Sequence, residues 1–161
     1  MQKSLFIFLL FLTTFSYSQN EKGVVINGVT WATCNVGAIY LEEYGDYFTW
    51  EEAKTACPEG WRVPTREELQ TLLDKEKVTS KWTIGGRRFT DIATGNSIFL
   101  SAAGCRHYND SEFYDVGTGG YYWSSTEFSN SEVYLLYFHH GYAFLLNSPR
   151  QFGFSVRCVK E

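Results

Sequence analysis

The sequence predicts an α+β domain on three observations. Two helix-start signatures fall close together within residues 49–76. The strong strand candidates that follow them crowd between 97 and 159. A single strand–turn–strand signal comes before both. Helices early and strands late are not the alternating order of a parallel α/β sheet.

The elements follow in chain order. Val24-Val25-Ile26 and Val29-Thr30-Trp31-Ala32-Thr33 flank Asn27-Gly28. Asn-Gly supplies the two positive φ values of a type I′ turn, so this stretch is a hairpin. Tyr47-Phe48 is a short strand. Thr49 as N-cap with Glu52 three residues on is a capping box, and Trp50, Ala53, Ala56 and Cys57 mark the inner face of the helix it opens. Pro58-Glu59-Gly60 ends that helix. Thr65 and Glu68 repeat the box, with Leu69, Leu72 and Leu73 as the apolar stripe. Gly85-Gly86 is a turn, 97–101 a β run, and 104–120 a long loop rich in Gly, Asn, Asp, Ser and Tyr. Residues 121–125, 132–138, 142–146 and 152–159 are four more strands.

Residues 1–18 carry Lys3, an apolar run over 5–12 and Ser16-Tyr17-Ser18 before Gln19. That is the layout of a signal peptide, and the run is too short to span a bilayer. The expected organisation is a leader over 1–18 and one domain over 19–161, exported to the periplasm, the cell surface or the medium. The chain is not expected to be an integral membrane protein. Five aromatics (Phe6, Phe8, Phe11, Phe15, Tyr17) fall in the leader; the remaining rings of an 18% aromatic sequence need another explanation. In an exported chain the four cysteines, Cys34, Cys57, Cys105 and Cys158, suggest two disulfides, and spacing leaves all three pairings open.

Composition and motifs exclude several function classes. A net charge of −4 and a pI near 5.4 argue against a nucleic-acid or anionic-membrane partner. No CxxC, HExxH or GxSxG occurs. Gly117-Thr118-Gly119-Gly120 lacks the strand–glycine loop–helix context of a phosphate cradle. His139 and His140 are adjacent, so a strand sends them to opposite faces and they share no metal. The Glu42-Glu43, Glu51-Glu52 and Glu67-Glu68 pairs are explained by helix starts and a solvated loop. No catalysis, no metal and no cofactor is expected.

Several motifs in order resemble the Fibrobacter succinogenes major paralogous domain family. They are Trp31-Ala32-Thr33-Cys34-Asn35-Val36-Gly37-Ala38, Gly45-Asp46-Tyr47-Phe48-Thr49-Trp50, and Ala56-Cys57-Pro58 with Gly60-Trp61-Arg62-Val63-Pro64-Thr65 and Glu68. Ala102-Ala103-Gly104, Tyr122-Trp123-Ser124-Ser125 and Gly153-Phe154-Ser155-Val156-Arg157-Cys158-Val159 complete the series. The resemblance implies a C-type lectin-like fold: two short helices packed on a small twisted antiparallel sheet, meeting termini and long loops. It implies a Cys57–Cys158 bond, leaving Cys34 and Cys105 as the second pair. It does not bring sugar binding, because the Glu-Pro-Asn or Gln-Pro-Asp and Trp-Asn-Asp motifs of calcium-dependent lectins are missing, and fold alone does not give function. Trp31, Trp50, Trp61 and Trp123 lie in the resembling motifs and are expected in the core. Arg62 and Arg157 flank core residues and are expected to pair with carboxylates such as Glu68.

The unexplained side chains fall in two segments. The first carries His107, Tyr108, Asn109, Asp110 and Tyr114; the second Leu135, Tyr137, His139, His140, Tyr142 and Phe144. In the family the alternation around Tyr134, Leu136 and Phe138 is the regular one, which places those three inside and turns Leu135, Tyr137 and His139 outward. Rigid rings mixed with adaptable hydrogen-bonding groups are the composition of a recognition patch. The patch is also similar to the variable segment of retroelement-diversified proteins, which changes Asn, Tyr, His, Asp, Ser, Phe and Leu positions ahead of a fixed Gly-Phe-Ser-Val-Arg. The expectation is a non-catalytic module that binds a protein or glycan ligand outside the cytoplasm. The alternative is a structural or cell-envelope assembly module.

Overall fold

The computed structural model describes residues 23–161; the expected leader over 1–18 lies outside the described residues. Strands β1 (Val24–Ile26) and β2 (Val29–Trp31) form the hairpin, with Asn27 and Gly28 at φ 45° and 81° in its turn. Helix α1 (Trp50–Ala53) and helix α2 (Arg66–Thr71) both start on complete capping boxes, Thr49 with Glu52 and Thr65 with Glu68. Strand β3 (Trp61–Arg62) lies between them. Strands β4 (Val78–Thr83), β5 (Gly86–Asp91) and β6 (Ser97–Ser101) form one antiparallel sheet in that order. A two-residue pair, β7 (Cys105–Arg106) and β8 (Phe113–Tyr114), interrupts the long loop. Then β9 (Gly119–Glu127), β10 (Glu132–His139) and β11 (Ala143–Pro149) run as a meander. The last strand, β12 (Val159–Lys160), sits between β2 and β3, so the two ends of the described chain share one sheet.

This architecture corrects the expected α+β, C-type lectin-like arrangement. The described chain is mostly β, with twelve strands in four small sheets against helices of four and six residues. The capping boxes start helices, but nothing prolongs them: α1 buries only Trp50 and Ala53, and α2 only Leu69. Helices this short draw their stability from the surrounding packing and form no layer of their own. The β4–β5 hairpin around Gly85-Gly86 also escaped the pattern of apolar alternation, because Thr79, Ser80, Lys81 and Arg88 are exposed.

The β9–β10 pair explains where the rings go. Tyr122, Leu136 and Phe138 face a first core with Ile26, Trp31, Leu69, Leu72, Phe89 and Leu100. Trp123, Val133 and Leu135 face a second core with Trp50, Ala53, Phe154 and Val156. Both faces of the central strand are therefore buried, unlike the half-solvated strand its alternation implies. Gly120 allows this packing, since a Cβ there would fall 2.1 Å from the Phe138 ring. Tyr134 is only half-buried, with the Arg66 guanidinium 4.8 Å over its ring. Trp61 is likewise half-buried, while Trp31, Trp50 and Trp123 are in the core.

Cys57 and Cys158 are bonded, 101 residues apart in sequence. The expected Cys34–Cys105 pair is not formed, and both thiols are free. Cys105 is buried in the second core, where burial pushes its thiol up to about 11, so it stays protonated at neutral pH. Cys34 instead donates to the Ile39 carbonyl at 3.6 Å.

The two arginines part company. Arg62 forms the expected fork on Glu68, with both N···O distances 2.7 Å. Arg157 meets no carboxylate among the described residues. It is 1% exposed and donates from Nε to Asn35 Oδ1 (3.0 Å), from Nη1 to the Ala32 and Thr33 carbonyls (3.1 and 2.8 Å) and from Nη2 to the Phe99 carbonyl (3.0 Å). Asn35 is held in turn by the Tyr44 carbonyl and the hydroxyls of Ser101 and Tyr122.

The Arg62 fork holds the Glu68 carboxyl below its ordinary value of 4.5, helped by the Thr65 amide. A carboxylate whose folded pKa is depressed contributes stability above its unfolded pKa and loses it as pH falls through the folded value. Thermal stability is therefore expected to decline as pH drops below about 4.5. A pH series of melting curves checks this, and Glu68→Gln should flatten the decline; an equal slope in both proteins would remove Glu68 from the acid response.

Candidate functional site

The backbone first brings the two aromatic segments together. Arg106 and Gly153 exchange amide–carbonyl bonds of 2.8 Å, which sets the 107–114 hairpin against Phe152. Gly104, at φ 70°, makes the tight approach to β8 possible, because a Cβ there would lie 2.1 Å from the Tyr114 carbonyl oxygen. Phe154 in turn bridges to Phe48, while Tyr121, Tyr137 and Phe144 lie opposite one another across β9, β10 and β11. Directly paired residues share one face of an antiparallel sheet.

The rings then form one continuous track. His107 stacks on Tyr108 (centroids 4.8 Å apart), and both meet Phe152 edge-on (5.0 and 5.1 Å). Tyr114 meets His107 at 5.8 Å. Phe152 stacks on Phe154 (5.6 Å), Phe154 on Tyr121 (5.2 Å), and Tyr121 touches Tyr137 (4.8 Å). Tyr137 meets His139 and Phe144 (5.8 and 5.4 Å), and Tyr142 closes the end against His139 and Phe144 (4.0 and 5.5 Å). Packed aromatic pairs contribute about 0.5–1.5 kcal/mol beyond area burial, and this steadies the buried middle of the track around Phe154 more than its exposed ends.

Carboxylates edge it. Asp110 accepts from the Glu112 amide (3.0 Å) and the Tyr114 hydroxyl (3.1 Å), and the amide above all holds its carboxyl below the usual range. The Asn109 amide donates to His107 Nδ1 at 3.3 Å. Asp115 accepts from the Tyr121 hydroxyl at 2.5 Å. Burial first, and then that carboxylate, push the Tyr121 phenol up; burial does the same to Tyr137. These phenols are neutral at neutral pH. The surface can stack on the apolar face of a ligand and hydrogen-bond its rim.

Of the residues the sequence nominates, His107, Tyr108, Tyr114, Tyr137, His139, Tyr142 and Phe144 all lie on the track, and Tyr108, Tyr114 and Tyr142 are exposed. Asn109 and Asp110 are exposed at the tip of the β7–β8 hairpin. Leu135 needs correction: it shares the face of Tyr137 but is 1% exposed, paired with Trp123 in the second core. The face is covered at Leu135 and opens only from Tyr137 onward. His140 also leaves the track, with its ring 6.2 Å from Trp82 on the other face. The sequence reading missed Tyr121, Phe152 and Phe154 as connectors. Their motifs read as core or strand, and only the Arg106–Gly153 bridge reveals that they join the two segments.

Among the described residues no group of three or more His, Cys, Asp or Glu could hold a metal ion. No helix among them is long and apolar enough to cross a membrane. The sequence pattern of the Fibrobacter succinogenes major domain matches residues 15–160. The chain belongs to that family. No curated protein and no solved structure matches the chain. In this Fibrobacter succinogenes major domain, the Gly153-Phe154-Ser155-Val156-Arg157-Cys158 segment supplies a ring of the track, the caged arginine and one half of the disulfide.

Proposed function

We propose that this domain is an exported, non-catalytic binding module that recognises a protein or glycan ligand on the aromatic track running from Tyr108 to Tyr142. The observation that carries the reading is the continuity of that track. Two segments well apart in sequence are linked ring to ring through half-buried Phe152 and Tyr121 and buried Phe154, and the exposed members, Tyr108, Tyr114 and Tyr142, stand at the two ends. The bonded Cys57–Cys158 pair is in keeping with an oxidising compartment, and with export by the leader expected over 1–18.

Tyr108→Ala and Tyr142→Ala test it. Their side chains are 49% and 57% exposed, so truncation leaves the fold intact. Screening the protein on an array of glycans and cell-surface proteins is expected to give binding that the double variant weakens by at least about tenfold, near 1.4 kcal/mol. Binding that survives both changes unaltered would remove the track from recognition and favour a structural or envelope-assembly role.

A further inference from the structure

On the side of the first core, a cavity of about 420 Å³ opens between the end of α2, the β4–β5 hairpin and the β10–β11 turn. Its accessible apolar wall is Leu73, Ala143 and the Tyr142 ring, over the buried Leu72 and Val78; its polar wall includes Arg87 and Lys75, and no carboxylate among the described residues lines it. Arg87 is the unusual member, 5% exposed although charged. Its Nη1 donates to Ser80 Oγ at 2.7 Å and its Nη2 to the His139 and His140 carbonyls at 2.8 and 3.2 Å. Its Nε is buried with no hydrogen-bond partner. No carboxylate among the described residues pairs with it, and burial alone lowers its pKa.

A buried guanidinium bound only to neutral oxygens keeps its charge uncompensated, at a cost that an anion close by would offset. Lys75, exposed at the rim, adds a second positive charge to the same cavity, in a chain whose net charge is −4. The apolar wall disfavours a bare inorganic ion, and the volume is at the small end of ligand sites, which run from about 300 to 1,000 Å³. We infer that this cavity binds a small organic monocarboxylate, its carboxylate directed to Arg87 and Lys75 and its compact apolar body laid on Leu73, Tyr142 and Ala143. The cavity adjoins the aromatic track at Tyr142, which lines both, so its test rests on the charges of Arg87 and Lys75, which the track does not use.

Titration of the isotopically labelled protein with 3-phenylpropionate, followed by NMR, tests the proposal. Saturable shifts are expected at Val78, Ser80, Arg87 and Ala143, with half-saturation at about 1 mM or tighter. The neutral 3-phenylpropanamide should bind at least about tenfold more weakly. Lys75→Glu, which alters an exposed side chain, should weaken the acid about tenfold while leaving the rest of the spectrum in place. Arg87→Gln should abolish binding, with the Lys75 variant deciding if that protein fails to fold. Equal binding of acid and amide, no saturable shift up to roughly 10 mM, or unchanged affinity in Lys75→Glu would each overturn it. Tighter binding of N-acetyl-glycyl-phenylalanine than of 3-phenylpropionate would overturn a free acid in favour of a peptide C-terminus.

Discussion

Arg157→Met is expected to remove about 4 kcal/mol or more of folding stability, a large part of the 5–15 kcal/mol a domain commonly has. The side chain is held wholly inside the protein by Asn35 and three main-chain carbonyls. Methionine fills much of the volume but donates nothing, so four acceptors lose the guanidinium together, three of them in buried bonds. Each unsatisfied group costs about 1–3 kcal/mol, with some relief from relaxation. Arg157→Lys keeps the charge, yet a point ammonium cannot span acceptors arranged for a planar fork, and a loss of about 2–3 kcal/mol is expected. Urea unfolding of both variants at neutral pH measures this. A loss under about 1 kcal/mol for the methionine variant would mean that water replaces the guanidinium and that the cage is not a stabilising unit.

The second large effect concerns the bond between Cys57 and Cys158. Opening a closure of 101 residues frees the unfolded chain, and the chain-entropy account puts the loss at about 4–5 kcal/mol. Cys158 is also 1% exposed in the second core, so alanine there adds a small packing defect to the entropic one. The Cys57→Ala/Cys158→Ala variant should unfold at a much lower urea concentration than the parent, and reductant should shift the parent toward it. Cys34→Ser is expected to change stability by no more than about 0.5 kcal/mol, because its thiol makes one long contact at the surface. Thiol titration of the unfolded, unreduced protein should find Cys34 and Cys105 free; labelling at Cys57 instead would reject the pairing.

Local chemistry was legible in the sequence. Asn27-Gly28 fixed its hairpin, and Thr49 with Glu52 and Thr65 with Glu68 marked both helix starts, because each signal is complete within four residues. What the sequence hid depends on partners far along the chain. A capping box marks where a helix starts and not how far it runs; α1 and α2 end after four and six residues, with only Trp50, Ala53 and Leu69 buried on them. Alternation gives Leu135 the face of Tyr137 but not its burial, which comes from a core shared with Phe154 and Val156 far along the chain. Phe152 stayed unnoticed because only the Arg106–Gly153 bridge brings it beneath His107 and Tyr108. Arg157 looked like half of an ion pair, yet its acceptors are mostly carbonyls, which carry no signature in side-chain composition.

The position of the disulfide has a mechanical consequence. A pull on the two ends of the described chain reaches Cys57 from one side and Cys158 from the other, and the sulfur bridge carries it across. The 101-residue span between them then bears no load, and every ring from His107 to Phe154 lies within that span. Stretching the oxidised protein can peel β1, β2 and α1 away from the rest while the ring surface stays outside the force path. Reduction would put that span in line with the force and release about 350 Å of additional contour length.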